Sequence, residues 1–398
     1  MVEAAAIVVV REYDGARDRR GVEAVERACE VGSCGKMCLF TDLLGDPLCR
    51  IRHSPAFLML VAETSTGGPD NSTEIAGLVR GCVKTVVSGT TQGKDPIYTK
   101  VGYVLGLRVS PRHRRKGVGK KLVDRMEEWF RQTGAEYSYM ATEQDNEASV
   151  RLFTGRCGYA KFRTPSVLVH PVFGHALRPS RSASIVRLEL REAELLYRWH
   201  FARVEFFPAD IDAVLSNALS LGTFLAVPAG AARRWDGIEA FLAAPLPSWA
   251  VLSVWNCKDA FRLEVRGAPR LMRAAAGATR LVDRAAPWLG IPSIPNLFAP
   301  FGLYFLYGLG GAGAGAPRLA RALCRHAHNM ARDGGCGVVA TEVSACEPVR
   351  AGVPHWARLG AEDLWCIKRL ADGYSAGPLG DWTKAPAGHS IFIDPREF

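Results

Sequence analysis

The sequence contains no uninterrupted run of eighteen apolar residues, so it carries no segment that would cross a bilayer as a helix. Its first twenty residues include an acidic side chain at Glu3 and a strand end rich in charge, unlike a cleaved secretory signal. We therefore expect an intracellular protein with no membrane partner.

Paired cysteines at metal-binding spacing are also missing. The eleven cysteines are an odd number and are scattered, and only Cys34 and Cys38 are close together. Two histidine-containing stretches, "HPVFGH" and "RHAHN", have no cysteine or acid that would complete a zinc ligand set. The sequence predicts mostly buried thiols and no metal site, with Cys34 and Cys38 left as a pair that could be chemically active.

What the chain does have is length, apolar content and positive charge. Its 398 residues are 48% hydrophobic and 23% charged, enough for a sizeable core and more typical of two domains than of one. The formal net charge is +10 and the sequence pI is about 9.1. Such a balance favours an acidic partner: a phosphorylated cofactor, nucleic acid or a chromatin surface. Charge alone does not choose among these.

Apolar periodicity over residues 1–172 predicts the order β-α-β-β-β-α-β-α-β. Strand-like runs occupy 56–63, 75–87, 99–110 and 137–143, and Gly/Pro/Asn-rich stretches separate several of them. The helix after residue 117 has one apolar face, formed by Val118, Leu122, Met126, Trp129 and Phe130. The expected fold is therefore of the α/β (α+β) class.

The second part of the chain looks like a modified copy of the first. "ATEQDNEASVR" (141–151) matches "ATEVSACEPVR" (340–350), and a basic Ser/Pro-containing stretch at 173–185 is typical of a linker. We expect a first domain at 1–172 and a second at 186–398. Where the first has "RHRRKGVG", the second has "GLGGAGAGAP" without a cation, so we expect it to pack against the first domain and wall its cleft without binding the same ligand.

The stretch "RHRRKGVGKKL" (112–122) places six Lys and Arg around two glycines, between a predicted strand and a predicted helix. It is not a dinucleotide fingerprint, which needs a small residue at Leu122, nor a P-loop, which needs Gly at Arg114 and Ser or Thr at Lys121. The remaining pattern is R-x-x-G-x-G. Unpaired amides at a helix N-terminus cradle phosphates, and glycine lets the backbone approach them.

The two stretches "VSPRHRRKGVGKKLVDRMEEWF" and "NEASVRLFTGRCGY" resemble, in composition and spacing, the signature motifs of the GNAT family of acetyl-CoA-dependent N-acetyltransferases. The resemblance covers about 1–172 and implies a mixed, mostly antiparallel central sheet flanked by helices, followed by a degenerate GNAT-like copy. Through "EFFPADIDAVLSNALSLGTFLAVP" (205–228) and its length, the chain is also similar to the HOOKLESS-type N-acetyltransferase-like proteins of plants.

The resemblance implies acetyl-CoA as co-substrate and no metal. The pantetheine arm would pair with the strand at Leu107 and Val109, beside a splay between neighbouring strands, and Asn146 and Phe153 would line the cofactor site. The pyrophosphate would be held by the backbone and cations of the turn: Arg114, Arg115, Lys116, Gly117, Val118, Gly119 and Lys120. An amine would attack the thioester directly.

The sequence departs from the family at two positions. Phe153 stands where many members have a proton-donating tyrosine, and "YVLGLRV" lacks the usual glutamate base. We expect Glu143, with Asp145 behind it, to act as the base; the alternative is that both are solvated strand-end carboxylates.

Three functions remain open at this stage. The first is an N-acetyltransferase acting on a protein lysine or N-terminus, the second a catalytically weak or inactive regulator that binds acetyl-CoA, and the third a small-molecule amine acetyltransferase. The resemblance suggests a nuclear location and chromatin association. No sequence feature indicates specific nucleic-acid binding.

Overall fold

One mixed sheet of thirteen strands runs through the computed structural model, which describes residues 8–29, 37–65, 73–88, 96–231, 235–371 and 380–398. Most neighbouring strands are antiparallel, and helices cover both faces. Among the described residues, no helix is at once long and apolar enough to cross a membrane.

The elements up to residue 171 follow the predicted order, with two additions. They are β1 (Val8–Glu12), α1 (Gly15–Ala28), β2 (Cys38–Asp42), β3 (Ala56–Ser65), β4 (Thr73–Val87), β5 (Tyr98–Val109), α2 (Val118–Gln132), β6 (Tyr137–Glu143), α3 (Glu147–Arg156), β7 (Ala160–Arg163) and β8 (Ser166–Pro171). The additions are β2, which pairs only with a strand of the second half, and the break between β7 and β8. Pro165 stands at that break, where it has no N–H to give to a ladder.

The second half has its own strands and helices. They are β9 (Ala183–Leu188), α4 (Leu190–His200), α5 (Ile211–Leu215), β10 (Ser220–Pro228), α6 (Ile238–Ala243), β11 (Trp249–Asn256), β12 (Arg262–Arg266), α7 (Arg270–Ala285), β13 (Gly302–Ala312), α8 (Ala316–Asp333), β14 (Cys336–Val343) and β15 (Ala361–Arg369). In both halves, two parallel strands are joined through a helix: β5 and β6 through α2, and β13 and β14 through α8.

The two halves exchange their last strands. β15, from the end of the chain, pairs with β6 from Asp363↔Glu143 to Arg369↔Tyr137. In return, β8 of the first half pairs with β14 from Ser166↔Val343 to Pro171↔Val338. The sheet order is β1-β3-β4-β5-β6-β15-β8-β14-β13-β11-β10-β9, and the thirteenth strand, β7, also pairs with β15. Neither half therefore completes its sheet without the other.

The stretch 173–185 is anchored at its beginning, although several of its later residues are exposed. His175 is buried, and its Nδ1 lies 2.7 Å from Asp283 Oδ1, while β9 already begins at Ala183. The division into domains at 172 and 186 stays a prediction, but the strands on either side of it share one sheet.

The chain end is buried beneath this sheet, where it carries paired charges. Lys84 Nζ lies 2.7 Å from Glu397 Oε1 and 3.2 Å from Asp394 Oδ2, and Arg396 bonds Asp394 at 2.7 Å and Asp210 at 2.6 Å. Burial alone would raise the pKa of Asp394, but Arg396 and Lys84 hold that pKa well below its usual range. Buried charges of this kind are tolerable only while they remain paired.

Replacing Asp394 with alanine is therefore expected to lower the free energy of unfolding by about 3–5 kcal/mol, because Lys84 and Arg396 lose a buried partner. Urea unfolding at pH 7 measures the loss. The folded-state pKa of Asp394 is depressed, so its contribution is complete above the ordinary aspartate pKa of about 4 and disappears as pH falls below it. The difference from wild type should shrink accordingly. Asp212→Ala, whose side chain is 61% exposed, is the control and should cost little; equal effects of the two changes would contradict the prediction.

Candidate active site

A cleft opens in the sheet where β5 and β6 part. The two parallel strands pair from Val101↔Tyr137 to Val104↔Met140, and the ladder then ends although both strands continue. On its other side β5 stays paired with β4 as far as Val109, with a register shift around Gly106, whose φ is +60°. The edge of β5 from Leu105 to Val109 therefore faces the cleft without a partner strand among the described residues.

The basic turn stands at the end of this edge. Arg115 has φ +64° and Gly117 has φ +82°, so the backbone turns sharply before α2 begins at Val118. Gly117 occupies the N-cap position and supplies no side-chain acceptor, and the first N–H groups of a helix have none within the helix. The amides of Val118, Gly119 and Lys120 thus point out of the N-terminus of α2, where partial positive charge accumulates.

Gly119 is where the turn meets the cleft. A Cβ built there would lie 3.3 Å from Leu152 Cδ2, 3.6 Å from Val109 Cγ2 and 4.0 Å from Leu107 Cδ2. Leu107, Val109 and Gly119, all predicted to contact the cofactor, are therefore brought together. Gly117 differs, because a Cβ there would meet nothing within 4 Å and only its positive φ requires glycine.

The predicted cations surround the turn. Arg114, Arg115, Lys116 and Lys120 are all exposed. Arg114 Nε donates to Val109 O at 3.3 Å, which fixes its base to the strand, and Lys120 Nζ pairs with Asp124 Oδ2 at 2.6 Å. The turn can therefore offer both amides and side-chain charge to a phosphate group.

Two residues of the second motif, Asn146 and Phe153, have contacts within the protein. Asn146 caps α3, where its Oδ1 accepts from Ser149 N at 3.2 Å, so a cofactor contact by its side chain stays a prediction. Phe153 is 1% exposed and packs edge-on against Tyr159 in the core beneath α2. It is thus placed in the core rather than on the cleft surface, because the inward face of α3 carries it there.

Glu143 ends β6 directly opposite Asp363 of β15. Tyr139 and Ala141 face the core shared by both halves, whereas Met140 faces the core under α2. Because side chains alternate along a strand, Glu143 lies on the same side as Tyr139 and Ala141. By the same alternation Asp363 lies on the side of Trp365. Both carboxylates therefore stand on the face of the sheet opposite α2, beyond the point where β5 and β6 separate.

Burial shifts the proton affinity of these carboxylates. It raises the pKa of Glu143, with the Asp145 carboxylate adding to the effect, and raises that of Asp363 to about 6, with help from Glu143 and Glu362. Glu342, which accepts from Trp365 Nε1 at 2.9 Å, has a pKa well above its usual range because it is buried beside Asp363. A carboxyl group with a pKa of about 6, such as that of Asp363, can exchange protons under physiological conditions.

Sequence reasoning found Glu143 and Asp145 but missed Asp363 and Glu342. The repeated Ala-Thr-Glu could have pointed to Glu342, since it matches Glu143 in the two copies. Nothing marked Asp363, whose position depends on the strand exchange.

A cavity of about 150 Å³ lies on the same face as the carboxylates, between α1, β2 and the loop that follows β2. Its charged lining residues are Glu23, Glu26, Arg27, Asp42 and Asp46. Glu26 also faces Arg108 of β5, with Oε2 3.6 Å from Nε, so the cavity adjoins the free edge of that strand. Three of its four carboxylates are already paired with arginines: Glu23 with Arg19, Glu26 with Arg80 and Asp46 with Arg52.

The second half repeats the cleft in a closed form. The β13–β14 ladder also ends, at Leu306↔Thr341, and Gly308 has φ +57° as Gly106 has +60°. Here, however, Thr341 Oγ1 donates to Leu306 O at 2.9 Å at the end of the ladder, and beyond it the Tyr197 hydroxyl lies 3.5 Å from Gly308 O. The following turn contains no cation.

We therefore expect one acetyl-CoA site per chain. Calorimetric titration should give a stoichiometry near one, and Ala314→Glu in the exposed turn of the second half should leave affinity unchanged because no ligand is bound there. Two equal sites, or weaker binding by Ala314→Glu, would overturn this expectation.

In the described part of the chain, no group of three or more His, Cys, Asp or Glu could hold a metal ion. Of the pair singled out in the sequence, Cys34 lies outside the described residues and Cys38 is half-buried in β2. Cys346 is exposed, whereas the other described thiols are buried, and burial raises the pKa of Cys82 to about 12.

Comparison with known proteins agrees with this geometry. The family model described as "Acetyltransferase (GNAT) family" matches residues 45–159. The chain is 60% identical to Probable N-acetyltransferase HLS1-like of Arabidopsis thaliana over 98% of this chain and 99% of that protein. It is also 60% identical to Probable N-acetyltransferase HLS1 of the same plant (98% and 100% covered) and 42% identical to Acetyl transferase GW6a of Oryza sativa subsp. japonica (98% of each).

Solved structures share the fold at low identity. Saccharomyces cerevisiae N-myristoyltransferase with bound myristoyl-CoA aligns at a TM-score of 0.55 and 8% identity over 93% of this chain and 80% of that one. The glucosamine N-acetyltransferase region of a fungal multi-domain β-N-acetylglucosaminidase aligns at 0.53 and 15%, covering 92% of this chain and 38% of that one. Because a GNAT family model matches and the plant relatives are 60% identical over nearly the full chain, the chain belongs to the GNAT family of acetyltransferases and is similar to its HLS1-like members.

Proposed function

We propose that this N-acetyltransferase moves the acetyl group of acetyl-CoA to an amine of a protein, a lysine side chain or an N-terminus, by direct attack on the thioester. The observation that carries the proposal is the parting of β5 and β6 with a phosphate-binding turn at one end and raised-pKa carboxylates on the opposite face. The arrangement has a place for each of the two substrates.

The residues present fit acetyl-CoA, which brings the activated thioester. The amides of Val118, Gly119 and Lys120 and the exposed cations around them suit a pyrophosphate. The edge of β5 from Leu105 to Val109 can pair with the amides of the pantetheine arm as a strand would. No covalent bond to the protein is needed.

The acceptor must lose a proton, since a lysine amine has an ordinary pKa of about 10.4 and is charged at neutral pH. Glu143 and Asp363 lie opposite one another and can take up that proton, directly or through a water. The C–N bond forms as the C–S bond breaks, and the thiolate leaves with the electron pair. It takes its proton from solvent, because a thiol pKa of about 8.5 makes it a fair leaving group and Phe153 has no proton to donate.

A protein acceptor is supported by the construction of the acceptor side. The second half supplies Asp363, Trp365 and Glu342 to that face, so the amine reaches a site walled by both halves. The substrates that we propose are chromatin proteins in the nucleus, in keeping with the basic pI of the chain.

The test is acetyl-CoA calorimetry followed by CoA release on the same sample, with a lysine-peptide library, peptides with free N-termini and a panel of small amines. Binding with peptide-dependent release supports the proposal. Binding without release on any amine would favour an acetyl-CoA-binding regulator, release with small amines alone would favour small-molecule acetylation, and absence of binding would contradict the cofactor site.

A further inference from the structure

The surface of α7 and the residues just after it is strongly apolar. Leu271 is 82% exposed, Leu281 68% and Trp288 72%. Further large apolar side chains are also exposed there: Met272, Val282, Leu289 and Ile291. Half of the exposed large hydrophobic residues of the described chain thus fall in one stretch of about twenty residues, which is far more than scattered surface apolar residues produce.

The helix is held to the protein by one narrow face. Ala276 and Asp283 are its only buried residues, and Asp283 accepts from Gly174 N at 2.7 Å and bonds His175 Nδ1 at 2.7 Å. At 3.6 residues per turn, Leu271, Leu281 and Val282 lie away from that face. All three side chains are exposed, so the outward side of α7 faces solvent in the described part of the chain.

Arginines flank the apolar side. Residues 269–333 contain eight Arg and two Asp, without any Lys or Glu. One of the two acids is the buried Asp283, so the exposed surface of α7 offers only positive charge. The segment that holds α7, around Gly174 and His175, also contacts α8, because Asn329 Nδ2 donates to Leu177 O at 2.8 Å. Two arginines of α8, Arg321 and Arg325, are exposed. The apolar face of α7 is therefore surrounded by positively charged side chains.

We propose that α7 is the docking site of an acidic amphipathic helix from a partner protein. Leu271 and Leu281 are ten residues apart, or about 15 Å along the axis, and a helix with its side chains is about 10–12 Å across. The residues between them on the outward side are Ala274, Ala275 and Ala278, which leave room for a partner helix to cross. Glutamates beside its apolar stripe would meet Arg273 and Arg284 as charge-assisted pairs.

The charge also argues against other occupants. A second copy of the chain would bring the same arginines to the contact and be repelled. Nucleic acid would satisfy the arginines but would leave Leu271, Leu281 and Val282 exposed to water. An anionic lipid surface shares both the charge and the apolar character, so the test must separate it from a protein helix.

The probe is a synthetic eighteen-residue helical peptide with Leu at positions i, i+3, i+4 and i+7, Glu at the positions that flank this stripe and Ala elsewhere. Its partner is the full-length protein. Fluorescence anisotropy should show binding that weakens as salt is raised, and a peptide with Lys in place of Glu should not bind. The double variant Leu271→Asp/Leu281→Asp should bind the acidic peptide at least about tenfold more weakly, since two anchors are lost and two like charges gained.

Leu190→Asp is the matched control, because Leu190 is 49% exposed on α4, away from α7. It should bind like wild type, and all variants should retain acetyl-CoA binding, which shows that they are folded. The proposal is overturned if the acidic peptide does not bind, if Leu271→Asp/Leu281→Asp binds it as wild type does, or if phosphatidylserine vesicles bind through Leu271 and Leu281 while the peptide does not.

Arg273→Gln/Arg284→Gln separates charge from apolar contact. It should weaken peptide binding several-fold and reduce the salt dependence, because the partner carboxylates lose their counter-charges. Unchanged salt dependence would also overturn the proposal.

Discussion

Gly119→Glu is expected to abolish acetyl-CoA binding, lowering affinity by at least about a hundredfold. The new side chain would start 3.3 Å from Leu152 Cδ2, so it can extend only toward the mouth of the turn. There its carboxylate would occupy the place of a phosphate before the amides of α2 and repel the rest of the cofactor. Calorimetric titration with acetyl-CoA measures the loss, and acetyl transfer should fall with it.

Gly155→Glu is the control, because a Cβ at Gly155 of α3 meets nothing within 4 Å and a helix tolerates glutamate well. It should bind acetyl-CoA as wild type does. Gly117→Ala provides a milder comparison: it adds no clash, but its positive φ should cost about 1 kcal/mol of local strain and weaken binding severalfold. If Gly119→Glu bound acetyl-CoA normally, the turn would not be the cofactor site.

Asp363→Asn and Glu143→Gln should each lower kcat about a hundredfold at neutral pH while leaving acetyl-CoA affinity unchanged. General base catalysis typically contributes a factor of this size, and neither residue lies at the turn that we propose as the cofactor site. The carboxylate must be deprotonated to accept the amine proton. The rate of the wild type should therefore rise with pH through about 6, where Asp363 titrates.

The pH dependence of the rate and the urea stability show whether these variants lose a catalytic group or are structurally damaged. Burial and the Glu143 carboxylate raise the pKa of Asp363, and Glu143→Gln removes the second of these causes. The acid limb of the pH–rate profile of Glu143→Gln should therefore lie at lower pH than that of the wild type. Charging a half-buried acid whose folded-state pKa is raised costs stability at neutral pH, so Asp363→Asn should unfold at the same or a higher urea concentration.

Glu362→Gln is the neighbouring control. Its side chain lies on the other face of β15, where it bonds Ser166 Oγ at 2.7 Å, and the change should alter kcat by no more than about twofold. A loss in Glu362→Gln as large as that in Asp363→Asn, or an unshifted acid limb in Glu143→Gln, would remove the carboxylate pair from the mechanism.

Helices and strands of the first half followed from local pattern. The apolar face of α2 was evident from its spacing, and Val118, Leu122, Met126 and Phe130 are all buried as expected. The sequence did not predict β2, because in the described part of the chain its five residues pair with β12 of the other half. Its strand structure therefore depends on that distant partner and not on an alternating apolar pattern of its own.

Phe153 shows the limit of transferring a role from a motif. Its place in the second motif suggested a cofactor contact, but which side of a ten-residue helix faces the core depends on the sheet beneath it. Asn146 was similarly expected at the cofactor, and its local sequence position before "EASVR" explains the helix cap that the structure contains.

The sequence by itself determined the basic glycine turn, the helix that follows it and the order of elements around them, because glycine spacing, charge and periodicity act over a few residues. Only the tertiary structure decided the strand exchange, the Glu143–Asp363 pair, the closed second cleft and the outward apolar face of α7. Each of these depends on which distant segments meet, and that choice is made by the burial of the whole apolar surface rather than by any local pattern.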